Sequence, residues 1–240
     1  YVIDNGSKDC TISVLDRIKS QLTHTQLEVI PLSCNKGTTV SRNLGLNKAC
    51  ENSRYICVLD SDTIINEAAM KKLVETLAED PSIGIVGPVL QGLDGSLQNS
   101  GRAIPTLSLK LLKVLPSKAL REKGARKEQI PKTRNVTDVG YLMSACWMMP
   151  SSLIKKIGIL DENIFYAPED VEYCMRAWKY GYRVCSVKSA SIIHVWQRLS
   201  RKKLFSKHNW EHIKGLLYLF HRYRCYFSKP NYIHYMNQGE

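Results

Sequence analysis

What most constrains the fold of this chain is a repeated alternation, in which a short apolar run stops on a polar cluster and a stretch of helical periodicity follows. Val2-Ile3 stops on Asp4-Asn5-Gly6-Ser7, ahead of a helical pattern over residues 9–22. Leu27 to Leu32 leads to the turn Asn35-Lys36-Gly37, and a second helical pattern runs to Glu51. That helix is expected to be capped by Thr38 or Thr39, with Val40, Leu44 and either Leu46 or Ala49 facing inward. The run Arg54-Tyr55-Ile56-Cys57-Val58-Leu59 ends on Asp60-Ser61-Asp62; an amphipathic helix over 66–80 follows, with Asn66 as cap and Pro81 as stop, and then the apolar run Ile83 to Val86. Strands alternating with helices of this length predict an α/β fold with a mixed, mainly parallel sheet. In such sheets ligands bind beyond the carboxyl ends of the strands, where the polar clusters fall.

Past Gln91 the pattern loosens. Asp94-Gly95 signals a hairpin, and residues 105–134 are basic and weakly patterned, suiting a loop or a short helix. Tyr141 to Met149 reads as one buried strand, with Ser151 or Ser152 capping a short helix after it. Pro168-Glu169-Asp170 opens a helix that reaches Tyr180 and stops at Gly181. Val184 to Val187 and Ser191 to Val195 suit two strands, and Phe205 to Phe227 a long helix. With 240 residues, 44% of them apolar, the chain can form one large domain or a domain with an appendage. It contains no uninterrupted apolar run of about 18 residues, the length expected of a spanning helix. Because it begins at Tyr1 on a strand pattern, it is expected to be a fragment whose start lies upstream. Eight cysteines without a CxxC pair suit reduced structural thiols in a cytoplasmic protein, and neither they nor the six histidines cluster at zinc-ligand spacing.

The net charge of +12 is unevenly placed. Residues 176–240 carry 13 Lys+Arg against 2 Asp+Glu, residues 102–134 carry 10 against 2, and the remainder is acidic. Two basic surfaces around an acidic centre point to an anionic partner: a phosphorylated small molecule, an anionic membrane face or a nucleic acid. No RNA- or DNA-binding motif accompanies the charge, which disfavours the last. Thirteen of the 20 aromatic residues follow position 175, so the tail 201–240 is expected to be a basic aromatic helix suited to an anionic membrane surface or, equally, to packing on the core.

Three places could carry chemistry. In extended chain, Asp60 and Asp62 point to the same side and repel unless a cation or donor lies between them, which suits Mg²⁺ or Mn²⁺; an acidic helix cap would serve the same residues. Glu169 and Asp170 fall at a helix N-terminus, where a general base and a dipole-stabilised pair look alike in sequence. His194 ends the apolar run Ser191-Ile192-Ile193, either as a structural histidine or as a ligand.

In order and spacing, Asp4-Asn5-Gly6-Ser7-x-Asp9, Asn35-Lys36-Gly37, Ser41-Arg42-Asn43-x-Gly45, Leu59-Asp60-Ser61-Asp62, Pro168-Glu169-Asp170-Val171-Glu172-Tyr173-Cys174-x-Arg176-Ala177 and Gly181-Tyr182 together resemble the inverting family 2 glycosyltransferases. The likeness is to their rhamnosyltransferase-like subgroup, which builds bacterial surface polysaccharide, and runs from Tyr1 to about Ser200. It implies a GT-A (Rossmann-like) domain over 1–200, with a nucleotide-sugar half (1–90) and an acceptor half (91–200), followed by a helical basic extension over 201–240. It further implies a UDP or dTDP type sugar donor and a saccharide or lipid-linked saccharide acceptor. By that likeness Asp4, Asn35, Arg42 and Asp60 contact the nucleotide sugar, with Arg198 and Ser200 near its diphosphate. Asp62, Asp60 and His194 hold Mg²⁺ or Mn²⁺, and Asp170 is the base, with Glu169 orienting it or the acceptor. Two departures stand out. The family's first strand and helix have no counterpart here, and Ser144 stands where relatives often carry Gly. Outside this family, the same residues leave open a nucleotidyltransferase, or an inactive module docking on polysaccharide machinery or anionic lipid.

Overall fold

In chain order the elements are β1 (Val2–Asp4), α1 (Thr11–Gln21), β2 (Val29–Pro31), α2 (Thr38–Asn52), β3 (Tyr55–Leu59), β4 (Thr63–Ile64), α3 (Glu67–Glu79) and β5 (Ile83–Gln91). There follow β6 (Leu97–Gln98), β7 (Gly101–Arg102), α4 (Leu107–Val114), α5 (Lys118–Lys127), β8 (Val136–Asp138), β9 (Tyr141–Leu142), β10 (Cys146–Pro150), α6 (Ser151–Ile157), α7 (Glu169–Lys179), β11 (Arg183–His194) and α8 (Lys207–Tyr223). The computed structural model describes residues 1–131, 134–195 and 207–235, without the side chains of 207 and 208.

The main sheet is mixed, in the order β3-β10-β5-β11-β4, with β6 on β5 and β8 on β11. β5 and β11 run parallel over most of their length and form its spine, while β10 is antiparallel to β3 and to β5. β5 is buried almost throughout, as a central strand covered on both faces must be. One face packs Ile85, Trp147, Met149 and Val184 against α2, α6, α7 and α8, and the other packs Val86, Met148 and Ile192 against Leu73 and Leu77 of α3. β1 and β2 form a separate parallel pair. Among the described residues they make no strand pairing with β3; Val2 and Ile3 face Ile56 and Val58 across an opening floored by Leu46. No described helix is long and apolar enough to cross a membrane.

Several helix boundaries follow their local chemistry. The Asn66 side chain accepts from Ala69 N–H at 2.9 Å, capping α3 as expected. Gly181 ends α7 at φ +82°, a left-handed position that suits glycine. Asp94-Gly95 turns β5 back into β6.

Other expectations need correction. The cap position of α2 is Gly37, at φ 89°, and the Thr39 hydroxyl instead donates to Ile164 O at 2.7 Å. Leu44 is 37% exposed, and the inward face of α2 is Thr39, Ser41, Asn43 and Leu46. That face is polar because it closes on loop backbone: Asn43 donates to Leu160 O and accepts from Leu160 N–H, both at 2.9 Å. Hydrophobic periodicity cannot register a helix docked by hydrogen bonds. Neither Ser151 nor Ser152 caps α6, whose cap position is Pro150.

The described residues of 105–134 include two helices, α4 and α5. Thr106 caps α4 by accepting from Leu109 N–H, and the N–H groups of Leu107 and Ser108 donate to the distant carbonyls of Cys225 and Tyr226. The run from Tyr141 to Met149 is broken between β9 and β10, where Met143 N–H donates to Ser100 O. Val184 to His194 is one strand, with an irregularity between Val187 and Ser191 taking the place of a break.

Candidate active site

Beyond Leu59 the backbone does not continue extended. A turn forms in which Thr63 N–H and Oγ1 both donate to Asp60 O, at 3.2 and 2.7 Å. β4 then pairs with the end of β11, setting Thr63 opposite His194, and Val195 N–H donates to Asp62 O at 2.8 Å. The two aspartates thus meet through a turn, and the far strand delivers His194 to them. Ligand atoms of Asp60, Asp62 and His194 lie within 4.8 Å of one another, and His194 Nε2 is 3.4 Å from Asp62 Oδ1.

Gln98 fixes the chemistry of that histidine. Its Nε2 donates to His194 O at 2.8 Å, which turns its Oε1 onto His194 Nδ1 at 2.7 Å. An oxygen acceptor there bonds the proton on Nδ1, and the neutral imidazole of that tautomer presents the Nε2 lone pair toward Asp62. An imidazole nitrogen and a carboxylate oxygen 3.4 Å apart are reconciled by a proton on Nε2 or by a cation bound to both. A set of two carboxylates and one imidazole suits Mn²⁺ or Mg²⁺ with open positions left for water or phosphate.

A second cluster joins this one through Arg42 of α2. Its Nη2 donates to Asp60 Oδ1 at 2.5 Å and its Nη1 to Glu169 Oε1 at 2.9 Å, with the arginine side chain 15% exposed. Ser144 Oγ donates to the same Glu169 oxygen at 3.0 Å. Burial pushes the proton affinity of Glu169 upward, and the Arg42 guanidinium and Ser144 hydroxyl pull it back. Asp170, next along α7, is pushed up to about 7, first by burial and then by the charge of Glu169; the Val171 N–H on its Oδ1 at 2.8 Å acts the other way. Arg42, Asp60, Ser144, Tyr166, Glu169 and Asp170 line one side of a cavity of about 830 Å³ whose other side is the apolar opening between β1 and β3.

The remaining predicted residues lie elsewhere. Asp4 is buried at the end of β1 and its carboxylate accepts from Ser7 N–H and from the Ser7 hydroxyl, shaping the first turn. Asn35 accepts from Asn5 Nδ2 at 3.1 Å and from Gly37 N–H at 2.8 Å, tying that turn to the loop before α2. Both flank the cavity without lining it, whereas Asn5 reaches it. Arg198 and Ser200, with Arg201 and Lys202, lie outside the described residues.

Sequence reasoning missed Gln98 and Tyr166 and left Ser144 without a partner. Gln98 carried one faint signal, its place on the return strand of the Asp94-Gly95 hairpin.

Residues 1–213 match the family described as Glycosyltransferase like family 2. Similar proteins include the low-salt glycan biosynthesis hexosyltransferase Agl10 of Haloferax volcanii, 24% identical over 198 residues, covering 80% of this chain and 57% of the relative. The dTDP-rhamnosyl transferase RfbF of Shigella flexneri is 25% identical over 195 residues, covering 78% and 60%. The chain spans roughly three-fifths of the length of these curated relatives. Among solved structures, GalNAc-T7 with UDP, GalNAc and Mn²⁺ superposes with a TM-score of 0.67 at 16% identity, covering 91% of this chain and 40% of that one. The mannosyltransferase PcManGT of Pyrobaculum calidifontis, in complex with GDP-Man and Mn²⁺, gives 0.59 at 16% identity, covering 96% and 56%. These likenesses establish the GT-A fold. With the family match running through β1, the Asp60-Ser61-Asp62 turn and the Glu169-Asp170 helix, the chain belongs to glycosyltransferase family 2.

Proposed function

We propose that this chain transfers a sugar, with inversion, from a UDP or dTDP type nucleotide sugar to a hydroxyl of a saccharide or lipid-linked saccharide, in the synthesis of surface polysaccharide or glycoconjugate. The observation that carries this reading is Arg42, whose guanidinium bridges Asp60, the member of the Asp60–Asp62–His194 cluster that lines the cavity, and Glu169 beside Asp170 on the same cavity wall. Donor diphosphate and acceptor hydroxyl then meet between them.

Asp62, Asp60 and His194 would hold Mg²⁺ or Mn²⁺, and a dication there would supply positive charge against the negative charge that develops on the leaving diphosphate. Asp170 takes the proton of the acceptor hydroxyl as its oxygen bonds to the anomeric carbon and the bond to the diphosphate oxygen breaks on the opposite face. A carboxylate with proton affinity near neutrality is suited to this task, and burial supplies that affinity here. Glu169, held by Arg42 and Ser144, orients the pair and keeps a negative charge beside Asp170. Asp4, Asn35 and Asn5 shape the rim that meets the nucleoside, while Arg198 and Ser200 serve the diphosphate.

We assign residues 1–90 to the donor half, 91–200 to the acceptor half and 201–240 to a basic helical extension. A cytoplasmic site of action fits the eight free thiols and the use of nucleotide sugars.

Incubation with UDP- and dTDP-sugars, Mn²⁺ and an undecaprenyl-diphosphate-linked saccharide is expected to release nucleoside diphosphate and give a product of opposite anomeric configuration by NMR. Retention of configuration, or release of pyrophosphate, contradicts the reading.

A further inference from the structure

α8 carries an apolar arc wider than the core covers. Leu219 and Phe220 are buried in the core, yet Trp210, Ile213 and Leu217, spaced three and four residues apart on the flank of the same arc, are 60%, 47% and 58% exposed. A helix at an ordinary water-facing surface keeps its apolar stripe against the core. Beside it, Leu111 and Val114 of α4 are 54% and 77% exposed, and Phe227 is 88% exposed where the backbone of 225–226 hydrogen-bonds the start of α4. The apolar residues are joined by charge: on α5, Lys118, Arg121, Lys123, Arg126 and Lys127 are all exposed, against the single acid Glu122.

We propose that the face built by α4, α5 and α8 seats the protein on an anionic lipid bilayer. Aromatic and aliphatic side chains enter the headgroup region and the α5 cations meet lipid phosphates, the pairing that amphipathic surface helices use. The charges select an anionic partner, and the aliphatic stripe selects a bilayer over a nucleic acid, which offers phosphate but no apolar layer.

The face is also coupled to the site. A Cβ placed on Gly215 of α8 would lie 2.2 Å from Ala167 O, so the helix backbone rests directly on Ala167–Pro168, the segment that leads into Glu169–Asp170. Docking through α8 therefore holds the acceptor side of the cavity at the membrane surface. The inference rests on exposure and charge and stands apart from the assignment of the base.

The test is co-sedimentation with vesicles of phosphatidylcholine alone and of phosphatidylcholine mixed with phosphatidylglycerol. Binding is expected only to the mixed vesicles, falling as NaCl is raised. In a Trp196→Phe background, a blue shift of tryptophan emission on binding is expected to vanish in Trp210→Phe, since the other two tryptophans, Trp147 and Trp178, are already buried. The triple variant W210S/I213S/L217S, and separately K123E/R126E on α5, are each expected to weaken binding at least about tenfold with unchanged circular dichroism. Four outcomes would each overturn the proposal: no binding to anionic vesicles, equal binding to neutral ones, binding untouched by either variant, or a dimer in sedimentation velocity that the triple variant abolishes while vesicles are ignored.

Discussion

Gln98 holds His194 by two hydrogen bonds, one to its backbone carbonyl and one to its ring Nδ1, and so decides which imidazole nitrogen faces Asp62. In Gln98→Leu both bonds are lost and the ring is free to turn or change tautomer. Mn²⁺ affinity, measured by calorimetry, is expected to fall about 10- to 100-fold, as when a partner that orients a metal-binding histidine is removed. Gln98→Glu, which keeps the acceptor on Nδ1, is expected to recover most of it.

Arg42 predicts a stability effect separable from activity. Arg42→Ala leaves Glu169, 6% exposed, without its cation, and breaking a buried pair this way costs about 3–5 kcal/mol. The double variant Arg42→Ala/Glu169→Gln removes the stranded charge as well, so denaturant titrations are expected to give a loss smaller than the sum of the single losses.

In the proposed mechanism Asp170 sets the pH dependence. As a base it must be ionised, so kcat is expected to rise with pH through a limb near 7, the value to which burial and Glu169 lift it. Asp170→Asn is expected to lower kcat about 10²- to 10⁴-fold and to remove that limb. The sign for stability runs the other way. Between the ordinary aspartate range and about 7 the folded chain holds a proton that the unfolded chain has lost, so this group's contribution declines as pH rises through that window. Asp170→Asn is expected to melt higher than the parent at pH 8, and an equal or lower Tm there counts against the buried placement of this carboxyl.

Gly215 tests the contact between α8 and the Ala167–Pro168 segment that leads into α7. The left-handed region is not at issue; the space is, because a methyl group there meets Ala167 O. Gly215→Ala is expected to lower Tm and to reduce kcat while leaving Mn²⁺ affinity unchanged, since the Asp60–Asp62–His194 cluster lies in the turn between β3 and β4 and at the end of β11.

What was legible in the sequence follows the range of the interactions. Asn66, Gly181 and Asp94-Gly95 act within a turn of their own position, and the elements they bound are where the sequence puts them. α4 and the inward face of α2 were misread because distant backbone decides them, through Cys225 and Tyr226 in one case and Leu160 and Ile164 in the other. The same division runs through the site. The two acidic pairs stood out as motifs, but their connection through Arg42 spans 127 residues to Glu169, and the hold of Gln98 on His194 spans 96. Neither separation leaves a periodic trace.

The central claim, a metal-bridged donor site at Asp60, Asp62 and His194 separate from the base at Asp170, is tested most directly by calorimetric titration of UDP and dTDP with and without Mn²⁺. The account predicts binding of one of them that requires the metal, is lost in Asp62→Ala and His194→Ala, and survives in Asp170→Asn. Binding of equal strength without metal, or binding indifferent to Asp62 and His194, would contradict it.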